Sequence, residues 1–489
     1  MDFVIWIFLM MFQTVAANTL ISAAARLFGG VLALVSIGIV TRSLGPGFFG
    51  EYSAILAFLY LFSIAADLGL YQYVLRESSR PGANERSLFS VTFSIRLAAL
   101  SVILSIGVVA ALVFVPLSPA SRIGIPLAAV AFWLQSLVQL SMAPLQKRLK
   151  AYWAALAEIA GRVLQLGLSV IIAVLGGSVV LFLVALVASS FLQFAVHYRA
   201  VRQYLPFRLS FSLPVAKGII RESLPIAIGL LFTLVYFRMD TVMLSFLRPP
   251  EDVGLYNLAY KMLEYLIFFP AMFVGLIMPR LSLEAVENLK AFRVTLQRLF
   301  EVIMFAAMPL MIGGFFLAPL LVEALGGKDF LQAVSPLRIL LVAAALIFLG
   351  NVFGSAVIAL GQQRRAVWAY GIGMVLNFGL NLIFIPRFSY VAAATSTVLT
   401  EFVVTFGLMC ICARASGGYI RTMRVLYALA ASIVMAIPFM FLGDISHKLG
   451  IFALIPYLII CPALYILSLR MFRGITQEHI DLLRAHAVR

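Results

Sequence analysis

Charged residues are scarce in this 489-residue chain. Only 11% of the residues are Asp, Glu, Lys or Arg, whereas 63% are hydrophobic and the mean hydropathy is +1.07. Soluble globular proteins carry about 25% charged residues, so the composition indicates a polytopic membrane protein. The net charge of +16 would suggest a nucleic-acid partner for a soluble protein. In a membrane protein, basic cytoplasmic loops explain that charge, and no nucleic acid is expected as a partner.

Residues that build metal centres and disulfides are few as well. The chain has three cysteines, all in apolar segments, and four scattered histidines, so neither a metal site nor a disulfide framework is expected. The sequence contains no Walker motif, no His-Glu-x-x-His and no catalytic triad, so we expect a protein that is not an enzyme and that needs no cofactor. An H+ or Na+ gradient, or removal of the product by later polymerisation, remains as the source of energy.

The apolar segments predict about fourteen transmembrane helices, since a helix needs about 20 apolar residues to cross the hydrocarbon core. Most of the 36 Lys and Arg residues fall in one set of loops, which places both termini in the cytoplasm. The opposite loops are all short, which argues against a membrane glycosyltransferase, polymerase or ligase. The predicted spans are 17–40, 52–75, 88–115, 123–146, 153–175, 178–198, 219–247, 255–279, 299–325, 336–360, 366–386, 391–413, 423–443 and 450–472.

An internal repeat divides the chain. "GEYSAILAFLY" begins at Gly50 and "GLYNLAYKMLE" begins at Gly254, which aligns Tyr52 with Tyr256. The repeat predicts an N-terminal six-helix bundle over 1–210 and a C-terminal six-helix bundle over 211–415. Residues 416–489 would add two more transmembrane helices and a short cytoplasmic tail. Transporters built from such repeats bind substrate between the repeats near the midplane of the membrane.

Two charges interrupt one apolar run. In "IGLLFTLVYFRMDTVMLSFL", residues 228–247, Arg238 and Asp240 stand among apolar residues. A charge near the bilayer centre costs at least about 2.5 kcal/mol, so at least one member is predicted to face a water-filled route. Because the two residues are two positions apart, they lie on opposite sides of a helix. The sequence leaves open which of them faces the route.

Polar residues also form stripes on other predicted helices. Asn18, Ser22, Arg26 and Gly30 recur every four residues and share a face. Arg26 either lines a cavity on that face or extends its side chain to the headgroups.

Further charged residues lie in other spans, and each has two interpretations. Glu158 and Arg162 are in the favourable order for an ion pair, unless Arg162 serves a cavity. Lys261 and Glu264 form either a local pair or a sugar or ion site. Asp67 and Arg96 either gate the cytoplasmic mouth or tie helices together, whereas Glu401 either bonds a neighbouring helix or takes part in ion coupling.

Several of these segments together resemble a known family, the bacterial oligosaccharide (Wzx-type) flippases of the multidrug/oligosaccharidyl-lipid/polysaccharide exporter superfamily. The resemblance covers roughly residues 17–415, with Val391 where the family usually has glycine. The matching segments are "ANTLISAAARLFGG", "TRSLGPGFFGEYS", "DLGL", "SLPIAIGLLFTLVYFRMDTVML", "VGLYNLAYKM", "MPRL" and "LNFGLNLIFIPRFSYVAAATSTVLTE".

The resemblance implies an all-α, MATE-like fold in which two six-helix bundles form a V and alternate between inward- and outward-open states. It implies a multi-pass protein of the bacterial inner membrane that flips undecaprenyl-diphosphate-linked oligosaccharides for lipopolysaccharide O-antigen, capsule or exopolysaccharide. A polysaccharide polymerase and a chain-length regulator are the implied protein partners. A MATE-type drug or cation exporter and a lipid II flippase are the alternatives.

With such a substrate, the charged and polar residues acquire specific roles. Arginine suits a diphosphate because its forked donors match phosphate oxygens, and polar side chains suit sugars. Substrate binding is predicted for Asn18, Arg26, Arg162, Arg238 and Lys261. Coupling or gating is predicted for Asp67, Asp240, Glu264 and Glu401.

Overall fold

The computed structural model describes residues 2–210, 212–441, 454–472 and 474. The side chains of 2–27, of most of 225–236 and of 151, 268, 269, 440, 441, 454, 455 and 458 are excluded. All regular structure in this part of the chain is helical, which confirms the predicted all-α class. The α-helices are α1 (Asp2–Ala65), α2 (Leu70–Ser78), α3 (Glu85–Phe114), α4 (Pro119–Arg122), α5 (Gly124–Lys147), α6 (Ala151–Val174), α7 (Val179–Val201), α8 (Leu213–Leu247), α9 (Pro250–Glu287), α10 (Leu289–Gly326), α11 (Val334–Ala359), α12 (Gln363–Ser416), α13 (Met423–Phe441) and α14 (Leu454–Met471), and a 3₁₀ helix covers Lys328–Ala333.

Nine helical segments among the described residues are long and apolar enough to cross a membrane, so the chain is a multi-pass membrane protein. Two helices extend over more than one predicted span: α12 covers two spans, and α1 covers one span and the beginning of the next. Each is kinked between the spans. The kink in α1 is at Gly45, with φ 68°, followed by Pro46, and the kink in α12 is at Ser389, with φ 50°, shortly after Pro386. Proline weakens a helix there because it lacks the N–H of the helical hydrogen bond.

The second predicted span, 52–75, is wrong as one continuous helix. The helix ends at Ala65, and a turn separates it from α2. Leu68 and Gly69 in that turn have positive φ angles of 51° and 66°, which a right-handed helix does not accommodate.

The chain forms two compact units, Met1–Gly254 and Leu255–Arg489. In the first unit, α1 packs against α3, α5, α6 and α8, and α7 packs against α5 and α6. In the second unit, α11 packs against α10 and α12, while α13 lies between α10 and α14. The bundle boundary after residue 210 rests on the sequence repeat and stays a prediction.

The two glycines aligned by the repeat lie against each other. A Cβ atom at Gly50 would overlap the carbonyl oxygen of Pro250 and stand 3.0 Å from the nitrogen of Gly254. A Cβ atom at Gly254 would likewise overlap the carbonyl oxygen of Pro46. Glycine is needed at both positions because the two backbones meet without room for a side chain.

An ion pair holds the appended helix α13 to the second unit. Arg424 of α13 donates to the carboxylate of Glu301 on α10 at 2.8 Å, and Gln297 donates to the same carboxylate at 2.7 Å. Glu301 is only 3% exposed, so its charge depends on these donors. A polar contact with a buried carboxylate therefore ties α13 to α10.

Candidate functional site

The first unit places Arg238 of α8 over an aromatic ring of α1. The guanidinium carbon lies 5.1 Å from the centroid of the Tyr60 ring, which is within range of a cation–π interaction. Arg238 is partly exposed, whereas Asp240 is only 3% exposed. The two sides of α8 therefore differ in exposure, and Arg238 is more accessible than Asp240.

Nothing in the sequence pattern singles out Tyr60. It lies in an apolar helix and also contacts the ring of Phe132, at a centroid distance of 6.0 Å. From the sequence alone, an aromatic residue in such a segment cannot be distinguished from an ordinary core residue. Only the packing of α1 against α8 identifies Tyr60 as the neighbour of a charge.

The polar face of α6 is turned towards α1. Glu158 lies against Gly29, where a Cβ atom would stand 3.4 Å from its Oε1. One turn further along, Arg162 approaches Oε1 of Gln165 at 3.5 Å. At the next turn, the hydroxyls of Ser169 and Ser36 are 3.3 Å apart.

The expected ion pair between Glu158 and Arg162 is wrong. Within the described residues Arg162 makes no ion pair, and its Nε is buried without a hydrogen-bond partner. The spacing of four residues permits the pair, but each side chain instead follows the contacts offered by α1 and by its own helix. Among the described residues, Arg162 is thus a charged side chain without an ion-pair partner, and it lies in a helix of membrane length.

Asp67 and Arg96 tie helices together. Arg96 of α3 is fully buried and forms an ion pair with the Asp67 carboxylate in the turn after α1. It also donates to the carbonyl oxygen of Asp67 at 2.6 Å, to that of Ser136 at 3.3 Å and to Oε1 of Gln139 at 2.9 Å. One guanidinium therefore joins the α1–α2 turn to α3 and α5, which favours the structural interpretation over a gate.

In the second unit, the polar residues of α9 and α12 form local contacts. Lys261 pairs with Glu264 at 2.7 Å, and both side chains are about one quarter exposed. Asn381 donates to Asn377 on the same helix at 3.0 Å. Glu401 is buried, at 5% exposure. Lys261 and Glu264 therefore form the local pair, and a sugar or ion site at these residues stays a prediction.

Two predicted ligands, Asn18 and Arg26, lie outside the residues whose side chains are described. Binding and coupling roles for the other selected residues stay predictions. The helices nevertheless bring two of them close to α1, namely Arg162 through α6 and Arg238 through α8.

Basic loop residues near residue 148, which the sequence analysis used only to orient the chain, form a cluster of specific contacts in the first unit. Arg148 donates to both carboxylate oxygens of Glu85, at 2.7 and 3.0 Å, and Lys147 lies 3.2 Å from the same group. Arg148 and Lys150 both stand over the ring of Tyr204. The hydrogen bond that Lys150 donates to the Tyr204 hydroxyl raises the pKa of Lys150.

These features define a class of protein: an all-helical, multi-pass membrane protein. The structure of the lipid II flippase MurJ in its inward closed conformation matches with a TM-score of 0.77 and 15% identity, covering 93% of this chain and 98% of that one. An inward-facing MATE multidrug transporter of the MOP superfamily matches with a TM-score of 0.66 and 16% identity, covering 79% and 95%. At such identities, these likenesses concern the fold.

The family follows from the sequence match. A family model described as polysaccharide biosynthesis protein matches residues 15–283, more than half of the chain. The chain belongs to this family, and the resemblance to polysaccharide flippases is confirmed. No curated protein gives a significant match. The protein is thus a multi-pass membrane protein of the polysaccharide biosynthesis family, with a fold similar to those of MurJ and MATE transporters.

Proposed function

We propose that this protein moves undecaprenyl-diphosphate-linked oligosaccharides from the cytoplasmic to the periplasmic leaflet by alternating access. The product would supply O-antigen, capsule or exopolysaccharide synthesis. The observation that carries the proposal is the presence of Arg162 and Arg238, both partly exposed, on two apolar helices that pack against α1. Guanidinium groups in a low-dielectric setting bind phosphate strongly and in a defined orientation.

A cationic drug suits this arrangement less well. Asp67 is neutralised by Arg96, and Asp240 is buried. Glu158 is partly exposed, but Arg162 lies one turn away on the same face. The charges in the first unit therefore favour an anionic substrate, which distinguishes the proposal from a drug exporter of similar fold.

Orientation and energy source complete the proposal. Both termini lie in the cytoplasm, so that the basic cluster around Arg148 faces the inner leaflet. An H+ or Na+ gradient drives the cycle through one of the carboxylates Asp240, Glu264 or Glu401.

Replacement of Arg238 tests the proposal in a host that lacks its own copy of this gene. We expect R238A to reduce surface polysaccharide at least about tenfold, because a hydrogen bond to a charged group contributes roughly 1.5–3 kcal/mol. The lipid-linked repeat unit should accumulate on the cytoplasmic leaflet. R238K should restore export only in part, since an ammonium lacks the fork of a guanidinium.

The matched control is R387A, which removes an exposed arginine and should leave export unchanged. If the R238A protein reaches a normal level in the membrane and surface polysaccharide is still complete, Arg238 is not required for substrate binding and has a structural role. Normal polysaccharide in the strain without the gene, together with lost drug resistance, would instead support the exporter alternative. Rescue of a strain depleted of its lipid II flippase, without any effect on surface polysaccharide, would assign lipid II as the substrate.

A further inference from the structure

The second unit contains an open cavity of about 520 Å³ at the N-terminal end of α11. Its polar lining comes from Gln332, Ser335, Arg338 and Tyr390. A narrower groove of about 200 Å³ shares Arg338 with the cavity. Arg338 therefore stands where a polar cavity meets an apolar groove, whose other walls are Met311, Ile312, Phe315, Phe316 and Val342.

Contacts with Phe315 fix the orientation of Arg338. Its Nε donates to the carbonyl oxygen of Phe315 at 3.0 Å, and its guanidinium carbon lies 4.5 Å from the centre of the Phe315 ring. Among the described residues no carboxylate forms an ion pair with Arg338. The two terminal nitrogens are left to donate to an anion, and their geometry suits phosphate.

The position of the cavity along the helices indicates a lipid rather than a soluble anion. The cavity lies where α10 ends and α11 begins, which is the end of the unit opposite to the basic residues Arg364 and Arg365. Both helices belong to membrane-length segments. The cavity is thus at the depth of the headgroups, and the groove extends along the hydrocarbon region.

The walls of the groove are open to the surroundings. Phe315, Phe316 and Val342 are 43%, 42% and 40% exposed. A free phosphate or a soluble metabolite would leave this apolar surface uncovered. An acyl chain would cover it while the phosphate of the same molecule reaches Arg338.

We propose that this cavity and groove bind one anionic phospholipid of the phosphatidylglycerol type. Its phosphate bonds the terminal nitrogens of Arg338, and its headgroup hydroxyls meet Gln332 and Ser335. One of its acyl chains lies along Phe315 and Val342. The positive charge of Arg338, which has no ion-pair partner among the described residues, selects an anionic lipid over a zwitterionic one. This site is distinct from the arginines proposed to bind the transported substrate.

Native mass spectrometry of the purified full-length protein tests the proposal by titration with phosphatidylglycerol and with phosphatidylethanolamine. We expect the wild type to bind phosphatidylglycerol at least about tenfold more tightly, and R338Q to lose this preference, because hydrogen bonds from a charged group are among the strong ones. The matched control is K328Q, which removes an exposed cation at the same end of the unit and should keep the preference.

Two further measurements complete the test. One distinguishes a lipid phosphate from free phosphate, and the other does not depend on the folding of R338Q. V342W fills the groove without changing the charge, so it should weaken phosphatidylglycerol binding even if R338Q is poorly folded. Millimolar inorganic phosphate should not displace the lipid from the wild type. Displacement by phosphate would define a soluble-anion site, and an unchanged preference in both R338Q and V342W would place the lipid elsewhere. Either result overturns the proposal.

Discussion

Replacement of Arg96 should destabilise the first unit severely. The R96M variant keeps much of the side-chain volume but removes the charge that pairs with Asp67. Arg96 is fully buried, and the Asp67 side chain is only 11% exposed, so water cannot replace the lost partner. The carboxylate would remain as an uncompensated buried charge.

The magnitude follows from the contacts. Breaking a buried ion pair by removing one partner costs about 3–5 kcal/mol. Loss of the bonds to Gln139 and to the Ser136 carbonyl adds to this cost. For a unit of this size, 1 kcal/mol shifts the unfolding temperature by about 2–4 °C, so we expect a decrease of roughly 6–20 °C. The double variant D67N/R96M should recover part of it, since the unpaired charge is then absent.

Thermal unfolding of the purified protein in detergent measures the effect. All variants must be scanned at one rate, because unfolding of such proteins is often irreversible and then depends on the rate. R80M is the matched control: Arg80 pairs with Glu77 at 2.7 Å, but its side chain is 63% exposed. Exposed pairs contribute at most about 1 kcal/mol. An R96M protein that unfolds at the same temperature as R80M would refute the structural role of Arg96.

Three further predictions concern packing, coupling and topology. G50A should reduce the amount of folded protein, because its Cβ would overlap the Pro250 carbonyl. G371A should fold normally, because the space around Gly371 is open. Equal yields of the two variants in a fluorescence-detected size-exclusion assay would contradict this prediction. If an ion gradient drives transport, neutralising one of the carboxylates Asp240, Glu264 and Glu401 should abolish the effect of collapsing that gradient in a flipping assay. Normal, gradient-dependent transport by all three single variants would exclude these carboxylates as the coupling group. A cysteine at the exposed position 387 should react with an impermeant thiol reagent from outside and one at 149 should not; the reverse pattern would invert the orientation.

The sequence alone was sufficient for the class, the family and most helices. Apolar runs of membrane length are a local property, so the spans follow from composition without any knowledge of packing. The separation of Arg238 and Asp240 around one helix is local as well, since it depends only on the helical repeat. The aligned glycines at 50 and 254 were also visible as a pattern, although their mutual contact was not.

Pairing across long sequence separations needed the tertiary structure. Arg96 pairs with Asp67, which is 29 residues away in the sequence, and Arg424 pairs with Glu301, which is 123 residues away. The pair predicted from local spacing, Glu158 with Arg162, does not form: Glu158 lies against Gly29 of α1, whereas Arg162 approaches Gln165 on its own helix. An ion pair depends on which rotamers the neighbouring helices leave open.

Accessibility was the other property that only packing decided. Sequence reasoning did not distinguish Arg238 from Asp240, whereas in the folded chain Asp240 is buried and Arg238 stays partly exposed over Tyr60 of α1. Likewise, nothing in the pattern around Arg338 distinguished it from other arginines near helix ends, and only the fold placed it between a cavity and a groove. Helix formation is determined along the chain, whereas the exposure of a charge is determined by the helices that surround it.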